Sequence, residues 1–193
     1  MSLKYISDLH FNHYNIIEYE GRNYGSIADM NACMINDWNN HVDTGDVIYV
    51  VGDIGLGKRN ELEPLIVELK GTKRLVIGNH DRSSNIKHKT YGDILQIMNS
   101  YQVVFDGGYS LFLIHDVNHI YNLNIINPKI FDSIDYIICG HVHSEWFIKD
   151  VVVNNKEIMA INVSIEHLTY PRNISYIINL AKKRKELLTT TTF

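Results

Sequence analysis

The sequence predicts a mixed α/β fold. Short apolar runs rich in β-branched residues recur along the chain, and segments with apolar residues at helical spacing separate several of them. In addition, several of these apolar runs end directly in Asp, Asn, His or Gly. With 193 residues, 45% of them hydrophobic and 21% charged, the chain has the size and composition of one globular domain. We predict a single domain over residues 1–188 and a frayed, Thr-rich tail over residues 189–193.

Eight apolar runs are predicted to be strands. They cover residues 4–7, 46–51, 74–77, 102–105, 109–114, 136–139, 146–148 and 157–162. The clearest helix is predicted over residues 26–41, because its apolar residues recur at helical spacing and Ser26 with Asp29 resembles a capping box. Further helices are predicted over residues 61–70, 91–100 and 175–188. Residues 118–128 are polar and irregular, which indicates a loop.

The charge balance and the lengths of the apolar runs argue against several classes of protein. A formal net charge of −4 disfavours a general nucleic-acid binder, since affinity for the phosphate backbone needs an excess of Lys and Arg. No apolar run approaches the roughly 20 residues that cross a bilayer, and the stretch before Asp8 is too short for a signal peptide. We therefore expect a cytoplasmic protein without membrane contact. Cys33 and Cys139 fit no disulfide framework or zinc spacing, so both are expected to be buried thiols.

The residues that follow the predicted strands are the unusual feature of this sequence. Five segments place carboxylate, imidazole or amide groups there: Asp8 with His10, Asp53, Asn79 with His80 and Asp81, His115, and His141 with His143. In open α/β sheets, ligands bind at the carboxyl ends of the strands, because the loops converge there. Carboxylate oxygen together with neutral imidazole nitrogen suits divalent ions such as Mn, Fe or Zn, and the lack of paired cysteines disfavours a structural zinc site. The pattern therefore predicts a catalytic metal site.

Spacing within these segments supports the same interpretation. Residues two apart on an extended segment point the same way, so Asp8 and His10 are expected to hold one ion. His141 and His143 can serve one ion or two neighbouring ions, and Asp53 can bridge with its two oxygens. Glycines at positions 52, 78 and 140 allow the backbone to approach the ions closely.

The ordered series DLH, GD, GNHD, a single strand-end His and GHVH over residues 8–143 resembles the calcineurin-like metallophosphoesterase superfamily. The segments DLHFNHYNII, MNACMINDWNNHV and DVIYVVGDIG are similar to a small bacterial and phage group of predicted phosphoesterases within it. That similarity extends to Asn162-Val163-Ser164 and the final helix.

The resemblance implies a four-layer α/β/β/α sandwich with two divalent ions, manganese being favoured and Fe, Zn or Ni being alternatives. One ion would be held by Asp8, His10, Asp53 and His143. The second would be held by Asp53, Asn79, His115 and His141. In this family a hydroxide bridging the two ions attacks phosphorus. His80 would face the substrate and protonate the leaving oxygen, and Asp81 would support it as a further catalytic residue.

The resemblance also implies a phosphate ester as substrate, with a phosphodiester or nucleotide-like small molecule preferred. Contacts with that substrate are expected from Asn12, His13 and Arg82. Arg22 could also bind a phosphate oxygen, but an arginine in a loop is more often just solvated. The remaining histidines, at positions 41, 88, 119 and 167, are expected to be ordinary surface or core residues. Two alternatives stay open. One is a catalytically silent interaction module, as in the retromer subunit of this architecture, which lacks the counterpart of His80. The other is a nuclease, which the acidic balance disfavours. The oligomeric state is open.

Overall fold

The structure is a computed structural model that describes residues 1–83, 94–126 and 128–190, with side chains except at positions 82, 83, 124–126, 189 and 190. The strands are β1 (Leu3–Ile6), β2 (Val47–Val51), β3 (Thr72–Val76), β4 (Leu95–Ile97), β5 (Tyr101–Asp106), β6 (Tyr109–Ile114), β7 (Tyr136–Cys139), β8 (Ile148–Val153) and β9 (Lys156–Asn162). The helices are α1 (Asn15–Tyr19), α2 (Ile27–His41), α3 (Arg59–Glu68), α4 (Asn79–Ser83), α5 (Ile120–Ile126), α6 (Ile165–Leu168) and α7 (Ile174–Thr190). Two short 3₁₀ turns span Val117–His119 and Pro128–Phe131.

The strands form two sheets. The first has the order β1-β2-β3-β4, and all of its neighbours are parallel. The second has the order β5-β6-β7-β9-β8, with parallel pairing of β7 to β6 and β9 and antiparallel pairing at both edges. In each sheet, parallel strands bring their carboxyl ends to one edge.

Three buried apolar clusters show how the sheets and helices stack. The first cluster joins one face of β2, through Ile48 and Val50, to α2 and α3. The second fills the space between the sheets, where Tyr49 and Val51 of β2 share a cluster with Leu111 and Leu113 of β6. The third joins the outer face of the second sheet to α5 and the neighbouring 3₁₀ turns. The four-layer α/β/β/α fold is therefore confirmed.

Helix α2 begins where the sequence predicts it. The Ser26 side chain accepts a hydrogen bond from the Asp29 N–H at 3.1 Å, which satisfies one of the free donors of the first turn. Asp29 in turn accepts one from the Gly25 N–H at 3.2 Å. The apolar stripe of α2 is buried, and Trp38 is among the largest fully buried side chains. The predicted helix over residues 26–41 is confirmed.

Three predicted elements are wrong. Residues 118–128 were expected to be a loop, but most of them form α5, because Ile120 is fully buried against the outer cluster and Leu123 packs beside it. Residues 91–100 were expected to be helical, yet β4 pairs with β3 there, while residues 91–93 lie outside the described ranges. The strand predicted over residues 146–148 is β8, which starts at Ile148 and continues into a tight hairpin.

Helix α7 runs to Thr190, and residues 191–193, where most of the frayed tail is predicted, lie outside the described residues. Cys139 is buried as expected, whereas Cys33 is only half-buried, since it lies on the outer side of α2. None of the described helices combines the length and apolar character that crossing a membrane requires.

Candidate metal centre

The seven predicted metal ligands lie at the carboxyl ends of strands from both sheets. They follow β1, β2, β3, β6 and β7, so residues far apart in the chain meet on one side of the molecule. A continuous chain of contacts joins all of them in the order His10, Asp53, His115, Asn79, His141, Asp8 and His143. The convergence expected from the sequence is thus present in the fold.

Asp53 lies at the middle of this arrangement. Its Oδ2 atom is 3.6 Å from His10 Nε2 and 3.2 Å from His115 Nε2. Its Oδ1 atom accepts a hydrogen bond from the His80 backbone N–H at 3.0 Å. Although burial opposes ionisation, the hydrogen bond and charge of His115 hold the pKa of Asp53 at about 2. Asp53 therefore presents a charged carboxylate between two imidazoles.

Asp8, which follows a strand of the first sheet, contacts His141 and His143, which follow a strand of the second sheet. Its carboxylate is fully buried and accepts hydrogen bonds from the Ser7 hydroxyl at 2.6 Å and from the His141 backbone N–H at 3.1 Å. His143 Nε2 lies 3.8 Å from Asp8 Oδ1. Because a buried carboxylate is costly unless it is compensated, these contacts and a cation together would account for its position.

His115 has its proton position fixed by the backbone. Nδ1 donates to the Val51 carbonyl at 2.9 Å, which leaves Nε2 between the Asp53 carboxylate and Asn79 Oδ1, the latter at 3.0 Å. A hydrogen bond to a carbonyl on one ring nitrogen is the usual way of orienting a metal-ligating histidine. In the protein alone, burial lowers the pKa of His115, but the Asp53 and Asp8 carboxylates outweigh it and raise the pKa to about 9. A cation between these groups would take over the role of that proton.

The pKa of His10 shifts in the direction opposite to that of His115. The His10 side chain is 1% exposed, and Nε2, which faces Asp53, has no hydrogen-bond partner among the described residues. The other nitrogen, Nδ1, lies 3.0 Å from His13 Nδ1. Burial lowers the pKa of His10 to about 3, so the ring is neutral. When Nδ1 carries the proton and donates it to His13, the Nε2 lone pair is available to a metal ion.

Backbone conformation accounts for how these side chains converge. Asp8, His10, Asp53, His141 and His143 all have left-handed backbones, with φ between 45° and 74°. Asp, Asn and His are the residue types that enter this region most readily after glycine, at a cost of roughly 1–2 kcal/mol each. The sequence-based argument from strand alternation at Asp8 and His10 is therefore wrong in its geometry, since β1 ends at Ile6, although both residues reach the site.

Glycines leave room for the ligands. A Cβ atom on Gly52 would lie 2.2 Å from the His115 ring nitrogen Nδ1, and one on Gly78 would lie 2.2 Å from Asp53 Oδ1. Both positions therefore require glycine, as the sequence predicted for a backbone that closely approaches the site.

The donor set fits a divalent cation. Among the described residues, three sets of ligand atoms each lie within 4.8 Å of one another: those of Asp8, His10 and His143, those of Asp8, Asp53 and His115, and those of Glu20, His143 and Glu166. Each set combines carboxylate oxygen with imidazole nitrogen, and the Nε2 atom of His10 is buried without a partner. Oxygen and nitrogen ligands of this mixture suit ions such as Mn, Fe or Zn.

The predicted catalytic pair, His80 and Asp81, have different surroundings. The partly exposed His80 ring lies 5.2 Å from the His10 ring and 5.6 Å from the His13 ring, between centroids. Asp81 is fully buried and accepts hydrogen bonds from the backbone N–H groups of Gly78, Asp53 and Ile54 at 2.7–3.1 Å. Burial and the nearby Asp53 raise the pKa of Asp81 to about 6. Its contacts are those of a group that positions the Asp53 loop.

The three predicted substrate contacts also differ from one another. Both ends of the Asn12 side chain bond to protein, since Oδ1 accepts from Asn31 Nδ2 at 2.7 Å and Nδ2 donates to the Glu61 carbonyl at 3.2 Å. Asn12 thus braces its loop, and a contact with substrate stays a prediction. His13 lies beside His10 and His80 at the mouth of the site. The Arg82 side chain lies outside the described residues.

A buried ion pair that no sequence pattern indicated, between Arg22 and Glu166, lies behind the site. Arg22 Nη2 lies 2.5 Å from Glu166 Oε1, and the guanidinium also donates to the carbonyls of Asp8 and Leu9 at 2.8 and 2.9 Å. Glu166 Oε2 accepts from the Ser164 hydroxyl and lies 3.4 Å from His143 Nδ1. Although burial opposes it, His143 and Arg22 hold the pKa of Glu166 at about 2.

This ion pair connects two parts of the site. Arg22 fixes the backbone that carries Asp8, and Glu166 places a carboxylate at ion-pair distance from the imidazole of His143. The expectation that Arg22 is solvated is wrong, because its side chain is only 7% exposed. The one local signal for Glu166 is that it follows two residues after the Asn162-Val163-Ser164 segment.

Comparison with known proteins establishes the class. The model of the calcineurin-like phosphoesterase superfamily domain matches residues 1–169, and this chain belongs to that superfamily. The resemblance seen in the sequence is therefore confirmed.

Two relatives and one solved structure are similar to this chain over much of its length. Uncharacterized protein MJ1445 of Methanocaldococcus jannaschii is 34% identical over 187 residues, which are 95% of this chain and 93% of that protein. Gene 66 protein of Mycobacterium phage D29 is 32% identical over 105 residues, which are 53% of this chain and 49% of that protein. The structure of AQ665 from Aquifex aeolicus, a protein of unknown function, has a TM-score of 0.65 at 24% identity and covers 92% of this chain and 98% of its own. That likeness shows a shared fold.

Proposed function

We propose that this protein hydrolyses phosphate esters with the help of two divalent metal ions, and that its substrate is a small phosphodiester or nucleotide-like molecule. The observation that carries the proposal is the buried set of carboxylates and imidazoles at one edge of both sheets, in which His10 Nε2 has no partner among the described residues. Superfamily membership supports it, since phosphoester hydrolysis is the reaction for which the superfamily is named.

Asp53 would contact both ions in this proposal. The first ion would be held by Asp8, His10, Asp53 and His143. The second would be held by Asp53, Asn79, His115 and His141. When bound, two such ions supply a water molecule of lowered pKa as the nucleophile and neutralise charge on the phosphate. Manganese is the ion that we propose first, with Fe, Zn and Ni as alternatives.

The charges of the site suit a phosphate. Two divalent ions bring four positive charges, which exceed the two negative charges of Asp8 and Asp53 among the proposed ligands. The positive excess favours an anionic group in contact with both ions. The chain as a whole is acidic, so attraction of a long polyanion is not expected, and a small ester is the preferred substrate.

His80 is the proposed catalytic residue for the leaving group. Its ring is partly exposed at the mouth of the site, while its backbone N–H is fixed to Asp53 Oδ1 at 3.0 Å. A protonated ring there stabilises charge on the phosphoryl oxygens and gives a proton to the leaving alcohol oxygen. Water oxygen becomes bonded to phosphorus, the bond from phosphorus to the alcohol oxygen breaks, and a proton ends on the alcohol. Asp81 is proposed to position Asp53 through its bond to the Asp53 N–H.

The test is hydrolysis by manganese-reconstituted protein of bis(p-nitrophenyl) phosphate, p-nitrophenyl phosphate and a single-stranded oligonucleotide. We expect the diester to be the best of the three substrates, with the rate dependent on added metal. Failure of every substrate while elemental analysis finds two ions bound per chain would favour the interaction module instead. A preference for the oligonucleotide would favour the nuclease.

A further inference from the structure

A cavity of about 290 Å³ opens directly beside the residues proposed to hold the second ion. Asn79, His115 and His141 form one of its walls. If a phosphate contacted both proposed ions, a group attached to it on the side of Asn79, His115 and His141 would enter the cavity. The rings of His10, His13 and His80 form a separate cluster, and none of these three residues is among those that line the cavity. The site therefore has two flanks of different character.

The floor of the cavity is apolar. Ile77 follows β3, Ile114 ends β6, and Leu123 extends from α5. Ile114 and Leu123 belong to the apolar cluster under the outer face of the second sheet, so that cluster continues into the cavity wall. An apolar floor next to metal ligands suits an uncharged group with a flat, weakly polar face.

The described part of the cavity rim offers hydrogen-bonding side chains. Ser100, Asn122 and His119 lie along it, and none of the described residues lining the cavity is Lys or Arg. Asp116 also lines it, with Oδ2 3.8 Å from His141 Nε2 and Oδ1 accepting from the Asn118 N–H at 2.9 Å. A carboxylate there repels a second phosphate, so the group that enters is expected to be neutral.

The volume limits the group to one unit. About 290 Å³ lies just below the roughly 300–1,000 Å³ found for small-molecule pockets. It holds one nucleoside-sized group but no chain of nucleotides. Since His80 does not line the cavity and is proposed to protonate the leaving oxygen, the cavity is left for the alcohol that stays on the phosphate.

We propose that this cavity binds the retained alcohol of a phosphodiester, and that this alcohol is a single uncharged, nucleoside-sized group. The inference rests on the proposed function and adds the chemical class of the substrate. It gives α5, through Asn122 and Leu123, a part in choosing the substrate. His119, expected from the sequence to be an ordinary surface residue, lies at the cavity rim.

The test compares two diesters with the same leaving group, thymidine 5′-(p-nitrophenyl phosphate) and methyl p-nitrophenyl phosphate, on manganese-loaded full-length protein. We expect the wild-type kcat/KM to be at least about tenfold higher for the thymidine ester, because only that ester fills the cavity. Leu123→Trp, which fills the cavity, is expected to reduce this preference to near one.

Two further variants guard against indirect effects. Asn122 is exposed, so Asn122→Trp narrows the mouth without disturbing the core and is expected to reduce the preference about fivefold. Tyr121→Trp, at a 54% exposed position of α5 that does not line the cavity, is expected to keep the wild-type preference.

Each result decides between the two proposals. Equal hydrolysis of the two esters by the wild type, or an unchanged preference in Leu123→Trp and Asn122→Trp, overturns the cavity assignment and leaves the proposed hydrolysis standing. If neither ester is hydrolysed while two ions are bound, the proposed function fails and the cavity assignment fails with it.

Discussion

Strand β2 carries a buried aspartate at each end, and the two carboxylates have opposite surroundings. Asp46, just before the strand, lies 2.8 Å from Lys4 Nζ and accepts hydrogen bonds from the backbone N–H groups of Ser2 and Asp43 at 2.9 and 3.1 Å. Asp53, two residues after the strand, faces the imidazoles of His10 and His115 from a left-handed backbone. Lys4 supplies the counter-charge of Asp46 whatever binds to the protein, whereas the groups around Asp53 are imidazoles, which can bind a metal ion when they are neutral.

The comparison distinguishes a carboxylate that is buried with its own counter-charge from one that is buried among candidate metal ligands. Although burial opposes ionisation at both positions, hydrogen bonds and neighbouring charges lower the pKa of both carboxyls. At Asp46 the cause is an ammonium and N–H donors, which are present whatever binds to the protein. At Asp53 the main cause is His115, whose Nε2 would become a metal ligand. We therefore expect the two ends of β2 to respond differently to substitution.

The largest effect is expected from Asp53→Asn. This change removes the proposed bridging charge but keeps an oxygen for the His80 N–H, so both ions should be lost or weakened and hydrolysis should fall to the assay background. Asp46→Asn is the matched control at the other end of the strand and should keep its metal and its activity per folded molecule. Elemental analysis beside a bis(p-nitrophenyl) phosphate assay measures both quantities. Retention of two ions by Asp53→Asn would break the comparison.

His80→Ala should separate metal binding from proton transfer. The proposed ligands are untouched, and only the ring beside His10 and His13 is removed, so we expect full metal content with a rate reduced by roughly 10²–10⁴. His167→Ala, which removes a half-buried histidine elsewhere, should leave the rate unchanged. Equal metal loss in His80→Ala and Asp53→Asn would contradict the role proposed for His80.

Removing metal should loosen the carboxyl end of β2 in particular. An ion present at a hundred times its Kd stabilises the fold by about 2.7 kcal/mol, so excess EDTA is expected to lower the melting temperature of the wild type. The Asp53→Asn variant should melt at the same temperature with and without EDTA. Scanning calorimetry of both proteins checks this, and an unchanged wild-type melting temperature would count against a metal centre.

Glu166→Gln sharpens the comparison, because it removes a charge that acts on the site only through His143 and Arg22. We expect metal affinity to fall about 10–100-fold, with activity recovering when manganese is added in excess. Glu157→Gln, at a mostly exposed position, is the control. Circular dichroism of the metal-free variant at the assay temperature, beside titration of metal against activity, distinguishes this positioning role from a general loss of folding. A merely destabilised variant would already be partly unfolded before metal is added.

The proposed ligands were predictable from the sequence because they fall at strand ends in a fixed order. A strand-end Asp or His carries chemistry that burial alone does not explain, and five such segments in series are far more specific than one. The layer arrangement was not available from strand patterning, which indicated only a mixed α/β fold. It came from the resemblance to the superfamily.

Other features depended on contacts that no local pattern reports. Arg22 and Glu166 are 144 residues apart, so neither sequence neighbourhood indicates their ion pair. Burial of Ile120 against the second sheet makes α5 a helix in a segment that reads as polar. Asn154 and Asn155 have φ of 53° and 60°, which is the backbone of a two-residue hairpin turn. That Asn pair was a usable signal for the hairpin between β8 and β9.

The smallest effect is expected for stability at Asp46, where the charge is fully satisfied by the protein. The folded-state pKa of Asp46 lies below its ordinary value of 3.8, so its charge stabilises the fold above that pH and the stabilisation is lost as pH falls through the lowered pKa. Asp46→Asn should therefore lower the free energy of unfolding by about 1 kcal/mol at pH 7, and by less at pH 3. Urea unfolding of metal-free wild type and variant at both pH values measures the difference. Because Asp46 and Asp53 are about 20 Å apart along the strand, titration of the metal ligands should cancel between the two proteins. A difference that is equal at pH 7 and pH 3 would mean that packing, and not the charge of Asp46, supports this end of β2.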